Sequence, residues 1–388
     1  MLIRTAKYPN SCSWTRTVDI LASHLRSSRT MAAKARTALD ETSNTGEFKR
    51  TEAGFRNQIE PGGRFEPEAS RYHLYVSLAC PWACRCLAVL YLKGLEDAIG
   101  VSVTHPTWQR TRAEDPHDEH SGWVFRSPTD PPLSSIAGFG SFGCEGCVPD
   151  NVNGARFVRD LYELAHDTTG KYSVPVLWDK KERTIVNNES SEIIRMFNSS
   201  FNHIAKNPDL DLYPEPLRAS IDQVNSWVYP SINNGVYRCG FATSQAAYDT
   251  AFQELFSALD RCEDLLSRQR FLVGSQLTEA DVRLFQTLIR FDEVYVVYFK
   301  TNKCFLREYP NIAGYVRDLY GIPEISRSVN MDHIKTHYFT SHPRLNHYAV
   351  VPRGGAAWWT EPSSRAERFR SGDAYEAAAV VAAATVKL

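Results

Sequence analysis

A cysteine followed directly by a proline, Cys80-Pro81, is the place in this chain where residue type and position point to covalent chemistry. The residues from Tyr72 to Val76 before it are aromatic and β-branched, which predicts a buried strand. Proline is favoured at the first helical position, where its missing N–H would have no partner, so we expect a helix from Pro81 to about Lys93. Cys80 then precedes a helix N-terminus, whose free N–H groups and dipole stabilise an anion. The sequence therefore predicts a nucleophilic thiol with a lowered pKa.

Two further cysteines follow in the same predicted helix. Ala83 occupies the position of the resolving thiol in a Cys-x-x-Cys redox motif, so we expect a separate thiol to resolve any disulfide that Cys80 forms. Cys84 and Cys86 are small and of a type that is usually buried; the alternative for Cys84 is a resolving or regulatory thiol. A disulfide between Cys80 and Cys84, one helical turn apart, would require local unwinding of the helix.

A second pair of cysteines, Cys144 and Cys147, has the spacing of half a zinc site. A structural zinc site needs a second pair of ligands, and the remaining downstream cysteines, Cys239, Cys262 and Cys304, stand alone. We therefore predict no metal site.

Length and composition describe an ordinary globular protein with room for two domains. The chain has 388 residues, 43% hydrophobic and 23% charged, with a formal net charge of −1. This balance favours neither nucleic acid nor another polyanionic partner. The longest apolar run, residues 377–386, is about half of the roughly 18 residues that a membrane helix needs, so we expect no membrane span. Nine irregularly spaced cysteines favour a reducing compartment over a disulfide framework.

The elements that must position Cys80 alternate between strand and helix from about residue 70 to 200. The predicted order is strand Tyr72–Val76, the helix from Pro81, strand Ile99–Val103, helix Phe157–Ala165, strands Ser173–Trp178 and Thr184–Val186, and a helix from Glu189 to Phe197. Parallel strands joined by helices and followed by a hairpin predict a small α/β sheet. The stretch from His105 to Asn153 is dense in glycine, proline and charge, and its length is typical of a functional or partly mobile loop.

Pro175 interrupts one of these predicted strands. Proline in a strand removes a ladder hydrogen bond, so the strand lies at an edge of the sheet or the Val174–Pro175 bond is cis beside a site that needs exposed backbone. Because cis bonds occur in about 5% of X–Pro pairs in folded proteins, trans is the expectation from sequence.

After about residue 206 the periodicity becomes helical. The predicted helices are Leu217–Val228, Ala246–Gln269, Glu279–Phe291 and Ile312–Tyr320. The third begins at Thr278 with Asp281 three residues later, a pattern similar to a capping box. We therefore predict an α/β domain over residues 56–205 and an all-helical domain over residues 206–345.

The two ends of the chain differ from the rest. The first thirty residues contain five lysines and arginines and one acid, a composition typical of an organellar transit peptide; a disordered leader or translation from Met31 is the alternative. We assign residues 1–55 to a leader, disordered or targeting, and residues 346–388 to a largely disordered tail. The expected location is cytoplasmic, or organellar (plastid or mitochondrion) if the leader is a transit peptide.

Four short motifs, taken in order, connect the chain to a family. They are Cys80-Pro81-Trp82-Ala83, Asn188-Glu189-Ser190, Asn233-Asn234-Gly235-Val236-Tyr237 and His337-Tyr338-Phe339. With the domain pattern, they resemble the glutathionyl-hydroquinone reductases, the Xi-class or omega-like glutathione transferases, over roughly residues 55 to 345. The resemblance implies a thioredoxin-like N-terminal domain, an all-α C-terminal domain, glutathione as co-substrate and a homodimer.

The same resemblance implies a glutathione site. Trp123 would pack over glutathione, and the backbone of Val174 would bind its cysteinyl part. Ser190 would bind the γ-glutamyl carboxylate and Glu189 the ammonium group. These roles agree with the chemistry of the residues, because a carboxylate is bound by donors at a helix start and an ammonium group by a carboxylate.

The implied catalytic residues are Cys80, Tyr237 and Tyr338. Cys80 would attack the sulfur of an aromatic glutathionyl-hydroquinone and form a mixed disulfide with glutathione, which a second glutathione would release as oxidised glutathione. The tyrosines would hydrogen-bond the hydroxyls of the substrate. The family usually has histidine in place of Cys84. The alternatives are a glutaredoxin-like thiol transferase or dehydroascorbate reductase that shares Cys80, and a non-catalytic ligand-binding protein on the same fold.

Overall fold

The computed structural model describes Ala35, Thr37 and residues 40–370 of the chain. Its N-terminal part contains a four-stranded mixed sheet in the order β2-β1-β5-β6 and a separate short hairpin of β3 and β4. The strands are β1 (Tyr72–Val76), β2 (Gly100–Val103), β3 (Gln109–Arg110), β4 (Ser121–Gly122), β5 (Val176–Asp179) and β6 (Thr184–Asn187). Strand β1 is parallel to β2 and antiparallel to β5, and β5 is antiparallel to β6. The predicted thioredoxin-like sheet is confirmed.

Helices α1 (Pro81–Leu92), α2 (Val158–Leu164) and α3 (Ser190–Ser199) complete the N-terminal domain. Helix α1 begins at the predicted proline, and nearly all of its residues are buried, because it packs against α3 on one side and the helical domain on the other. This two-sided burial agrees with its sequence, which is apolar all round rather than on one stripe.

The C-terminal part is helical, as predicted. Its helices are α4 (Arg218–Val228), α5 (Gly235–Gly240), α6 (Gln245–Arg268), α7 (Glu279–Arg290), α8 (Val296–Tyr298), α9 (Pro310–Tyr320), α10 (Pro323–Ser326), α11 (Met331–Thr340) and α12 (Arg365–Arg368). The sequence did not predict α5, which begins and ends with glycine, a poor helix former. Helix α11 was also missed, because it buries the polar side chains of His333 and His337 and so lacks a purely apolar stripe.

The predicted capping box at the start of α7 is present. The Asp281 carboxylate accepts hydrogen bonds from the Thr278 backbone N–H (2.9 Å) and hydroxyl (3.0 Å). It also accepts from the Leu272 N–H and the Tyr315 hydroxyl, both at 2.8 Å. Asp281 is fully buried, so one carboxylate satisfies a helix start, a loop and the neighbouring helix α9.

The Val174–Pro175 bond is cis, so the trans expectation was wrong. The edge-strand alternative is also excluded, since β5 pairs with a strand on each side. Pro175 immediately precedes β5 and therefore lies outside the hydrogen-bonded ladder.

The long loop from His105 to Asn153 lies against the helical domain. The hydroxyl groups of Thr107 and Thr340 are 2.9 Å apart, and the Trp108 N–H donates to the Ser341 hydroxyl at 3.0 Å. These partners lie at the end of α11, so the loop joins the two domains through buried polar contacts.

The described parts of the two ends also pack on the domains. The predicted leader includes Phe48, whose side chain is buried beside the rings of Tyr237 and Phe241. The transit-peptide prediction for the first thirty residues lies outside the described residues. Throughout residues 40–370, no helix combines the length and the apolar composition needed to cross a bilayer.

The segment from 346 to 370 was predicted to belong to a largely disordered tail. In the structure it carries the buried Trp358, and the buried Arg365 donates to the main-chain oxygens of Leu266 (3.0 Å) and Gln269 (2.6 Å) at the end of α6. This segment thus caps a helix that ends about a hundred residues earlier in the chain.

We expect Asp281→Ala to lower the free energy of unfolding by about 3 kcal/mol or more, because it leaves the donors of Thr278, Leu272 and Tyr315 buried without an acceptor. Urea unfolding followed by circular dichroism measures the change. Asp332→Ala is the matched control: this aspartate lies in the first turn of α11 but is exposed, so the loss should be below about 1 kcal/mol. Equal losses in the two variants would contradict the structural account.

Candidate active site

All seven residues predicted for the site line one cleft between the two domains. They are Cys80, Trp123, Val174, Glu189, Ser190, Tyr237 and Tyr338. The sheet-bearing domain supplies the first five and the helical domain the two tyrosines. The structure therefore brings together residues separated by more than 250 positions in the chain.

Cys80 is the N-cap residue of α1 and is half-buried. Its thiol lies 3.5 Å from the carbonyl oxygen of Val174. Burial raises the pKa of the Cys80 thiol, although the N–H groups of Ala83 and Trp82 and the positive charge of Arg290 act in the opposite direction. The lowered pKa predicted from the helix start was therefore wrong in direction, because desolvation outweighs the donors.

The Glu189–Ser190 pair lies at the start of α3. The Glu189 carboxylate caps the helix by accepting from the N–H (2.9 Å) and the hydroxyl (2.7 Å) of Ser191. Arg85, buried in α1, donates to the Ser190 hydroxyl at 2.6 and 3.0 Å and lies 3.5 Å from the Glu189 carboxylate. Burial alone would raise the pKa of Glu189, but Arg85 and Ser191 outweigh it, so the pKa is lowered. This corner offers an ionised carboxylate next to helix-start donors, and it can hold an amino acid group of both charges.

Two tryptophan side chains, Trp108 and Trp123, also line the cleft. Trp123 is buried and stacks on the imidazole of His337, with ring centroids 4.4 Å apart. Trp108 meets Trp123 edge-on at 5.4 Å. The sequence pointed to Trp123 but not to Trp108 or to His337, although His337 belongs to one of the motifs.

The two predicted tyrosines are hydrogen-bonded to each other through their hydroxyl groups. A third, Tyr295, lies 3.2 Å from the Tyr338 hydroxyl and extends the network. Tyr295 ends a π-helical turn, Phe291–Tyr295, that follows α7, and such turns are frequent at functional sites. Burial raises the pKa of all three phenols, so they stay protonated and can donate hydrogen bonds to a ligand. Sequence reasoning missed Tyr295.

Beneath Cys80 lies the fully buried guanidinium of Arg290. It donates to the carbonyl oxygens of Leu78 (3.2 Å) and Ala79 (3.1 Å), and it lies 3.1 Å from the Cys84 sulfur. No carboxylate forms a salt bridge with it within the described part of the chain. The positive charge of Arg290 is therefore buried next to the turn that precedes Cys80, and main-chain carbonyl groups stabilise it.

Cys84 does not line the cleft. Its thiol is fully buried and donates to the Leu78 carbonyl at 3.2 Å. Burial raises the pKa of Cys84 to about 11, which keeps it protonated at neutral pH. These contacts favour the packing interpretation of Cys84 over a resolving thiol.

In the described residues, Cys144 and Cys147 belong to no group of three or more side chains able to hold a metal ion. Both thiols are buried as free cysteines.

We expect alkylation of Cys80 by iodoacetamide to keep rising with pH beyond 9, because the thiolate reacts and the pKa of the free enzyme's thiol is raised by burial. The rate is measured by mass spectrometry of the peptide that contains Cys80, with Cys80→Ser as the blank. A plateau below pH 8 would show that the helix-start donors and Arg290 prevail over desolvation.

Comparison with known proteins gives the relatives of this chain. The model of the glutathione S-transferase N-terminal domain matches residues 79–200, and that of the C-terminal domain matches residues 245–318. The chain is 44% identical to glutathionyl-hydroquinone reductase YqjG of Escherichia coli (strain K12), over 85% of this chain and 95% of that protein. It is 42% identical to glutathionyl-hydroquinone reductase PcpF of Sphingobium chlorophenolicum, over 82% of this chain and 92% of that protein.

Solved structures of similar proteins are also of glutathione transferases or their homologues. The crystal structure of glutathione-S-transferase Xi from Phanerochaete chrysosporium is 49% identical and covers 81% of this chain and 100% of its own, with a TM-score of 0.73. The glutathione-bound structure of YqjG is 43% identical and covers 81% of this chain and 97% of its own, with a TM-score of 0.72. The two matched domains, their order and the identity to these relatives lead to one conclusion: the chain belongs to the glutathionyl-hydroquinone reductases, the Xi class of the glutathione transferase family.

Proposed function

We propose that the protein reduces glutathionyl-hydroquinones to hydroquinones with glutathione as the reductant, through a mixed disulfide on Cys80. One observation carries this proposal: a half-buried cysteine at a helix N-terminus shares a cleft with a corner suited to glutathione and with a network of protonated tyrosines. Relatives named glutathionyl-hydroquinone reductases, at 42–44% identity, support the same activity.

Glutathione would lie between the start of α3 and Trp123. Glu189, held ionised by Arg85, suits the ammonium group of the γ-glutamyl end, and the helix-start N–H groups with the Ser190 hydroxyl suit its carboxylate. The Val174 backbone, adjacent to the Cys80 sulfur, suits the cysteinyl part. In this arrangement the glutathione sulfur is brought to Cys80.

In the first step, the Cys80 thiolate attacks the sulfur that joins glutathione to the aromatic ring. A sulfur–sulfur bond forms and the sulfur–carbon bond breaks, and the ring carbon keeps the electron pair and takes up a proton. Tyr237 and Tyr338 would donate to the ring oxygens or to the departing group, since burial keeps both phenols protonated. The products are the hydroquinone and the Cys80–glutathione disulfide.

In the second step, the thiolate of another glutathione attacks the glutathione sulfur of this mixed disulfide. Oxidised glutathione leaves and Cys80 returns as a thiolate. An external thiol is required because Ala83 stands where a resolving cysteine would be, and Cys84 is buried, protonated and outside the cleft. The sum of the two steps consumes one glutathione for each hydroquinone released.

The raised pKa of Cys80 makes deprotonation part of the mechanism. At neutral pH the thiolate is the minor form, so the N–H groups of Ala83 and Trp82 and the charge of Arg290 act by stabilising it once it forms. A thiol of high pKa is also a stronger nucleophile when ionised. This combination suits slow, selective attack on a bound sulfur better than reaction with free oxidants.

A glutaredoxin-like thiol transferase would share Cys80 and the glutathione corner. Thiol–disulfide exchange breaks only sulfur–sulfur bonds, so it has no need of a donor for a ring carbon or oxygen. The buried hydroxyl network of Tyr237, Tyr338 and Tyr295 therefore favours the reductase.

We expect Cys80→Ser to abolish hydroquinone release from a glutathionyl-hydroquinone in the presence of glutathione, as followed by chromatography. Tyr237→Phe and Tyr338→Phe should each lower kcat by about 10-fold or more, since general acid–base donors contribute about 10²-fold or more. Both tyrosine variants should still reduce a mixed disulfide of glutathione with a small thiol. Tyr91→Phe, outside the cleft, is the control. Release by Cys80→Ser at the wild-type rate would refute the mechanism, and parallel loss of thiol transfer in the tyrosine variants would refute their specific role.

The assembly state is a separate proposal. We propose a homodimer, on the basis of the family resemblance, and we expect sedimentation velocity to give about twice the chain mass of 43.9 kDa. A single species at the monomer mass would contradict it.

A further inference from the structure

Arg50 is a cation that lines the cleft and has no role in the mechanism above. Arg50 lies in the N-terminal segment before the sheet, and its guanidinium carbon is 3.9 Å from the centroid of the Trp82 ring and 5.1 Å from that of Tyr237. Trp82 and Tyr237 are neighbours, with centroids 4.9 Å apart. Arg50 is thus placed at the substrate side of the cleft, beside the tyrosine network.

The contacts of Arg50 leave part of its hydrogen-bonding capacity unused. Its Nε donates to the Asn234 side-chain oxygen at 3.0 Å, whereas its Nη2 is buried without a hydrogen-bond partner. Within the described part of the chain, no carboxylate pairs with it. A guanidinium that stacks through its face keeps the donors at its edge available, and a buried donor without a partner is costly. The contacts with Trp82 and Asn234 therefore fix the position of the guanidinium, while its Nη2 has no acceptor.

The corner at Glu189 and Ser190 has a cation of its own. There, Arg85 and the start of α3 already supply the positive charge beside Glu189 and Ser190. Arg50 contacts instead the aromatic side chains that face the ring of the substrate. The acceptor that fits it is thus on the aromatic part of the substrate rather than on the γ-glutamyl end of glutathione.

We propose that Arg50 binds an anionic oxygen on the aromatic ring, a carboxylate or an ionised phenol, and so makes the enzyme selective for acidic glutathionyl-hydroquinones. This inference rests on the proposed function and specifies its substrate class. A charge-assisted bond from a planar guanidinium to such an oxygen is among the stronger polar contacts in proteins. The rigid stack on Trp82 further reduces the entropy lost when the contact forms.

The test uses two substrates that differ by one negative charge and one methyl group: the glutathione thioether of 2,5-dihydroxybenzoate and that of its methyl ester. The quantity compared is the ratio of kcat/KM for the acid to that for the ester, because any effect of Arg50 on Cys80 reactivity is common to both and cancels. We expect the wild-type enzyme to prefer the acid, and Arg50→Met to lower the ratio by about 10- to 100-fold, as for loss of a hydrogen bond to a charged group. Arg50→Lys, which keeps the charge but not the planar fork, should retain part of the preference.

Arg327→Met is the matched control, since Arg327 also stacks on an aromatic ring, that of Tyr91 at 4.1 Å, but lies outside the cleft. The ratio should not change in this variant. A third thioether has chlorine in place of the carboxylate, so its only anionic group on the ring is an ionised phenol. If Arg50→Met also lowers the turnover of this compound, Arg50 binds the phenol oxygen. Equal turnover of acid and ester by the wild-type enzyme, together with unchanged turnover of the chlorinated thioether in Arg50→Met, would overturn the inference. An unchanged ratio in Arg50→Met, with a raised KM for glutathione, would also overturn it and would assign Arg50 to glutathione.

Binding separates this inference from the proposed function. Calorimetry of both thioethers with Cys80→Ser measures the preference for the acid without turnover, and Arg50→Met in the Cys80→Ser background should remove it. If neither thioether is turned over by the wild-type enzyme, the proposed reaction fails, while a binding preference that depends on Arg50 would still support the anion site. If neither binding nor turnover distinguishes acid from ester, and Arg50→Met does not affect the chlorinated thioether, the anion site fails alone.

Discussion

The buried guanidinium of Arg290 is the contact on which the rest of the cleft depends. A guanidinium cannot be deprotonated in a protein, so its burial is tolerable only because the carbonyls of Leu78 and Ala79 and the side chain of Gln286 surround it. Those carbonyls belong to the turn that leads into Cys80, while Arg290 ends α7 of the other domain. Arg290 thus fixes the position of Cys80 relative to Tyr295, the member of the tyrosine network that follows it by five residues.

The cleft has two chemically different halves that meet at Cys80. On one side, Arg85 and the start of α3 form a charged corner that matches an amino acid group. On the other, aromatic rings and neutral phenols form a drier surface, and the partly buried Arg50 lies against it. Burial sets the protonation states on this drier side: it keeps the phenols neutral and also makes the cysteine reluctant to ionise. Desolvation therefore keeps the tyrosine hydroxyls protonated, so that they can donate, but it also disfavours the thiolate of Cys80.

The features that could be predicted from the sequence are specified by neighbouring residues. The features that were missed depend on tertiary packing. Cys80 and the Thr278–Asp281 start were predictable because a helix N-terminus is specified by a few adjacent residues. The pKa of Cys80 was not, since burial depends on parts of the chain far away. Arg50 and Arg290 were missed because nothing in a sequence distinguishes an arginine that will be enclosed from one that stays in water. The segment after residue 345 lacks periodicity, so the packing of its tryptophans could not be predicted.

The contact of Arg365 with the end of α6 links the order of synthesis to the order of folding. Helix α6 leaves the ribosome long before Arg365, which follows Leu266 by 99 residues. Until that arginine emerges, the last carbonyls of α6 have water as their partner, and the helix end can fray. The sheet domain can be complete by then, since domains made earlier fold first. The end of helix α6 therefore gains these hydrogen bonds only after nearly a hundred further residues have been synthesised.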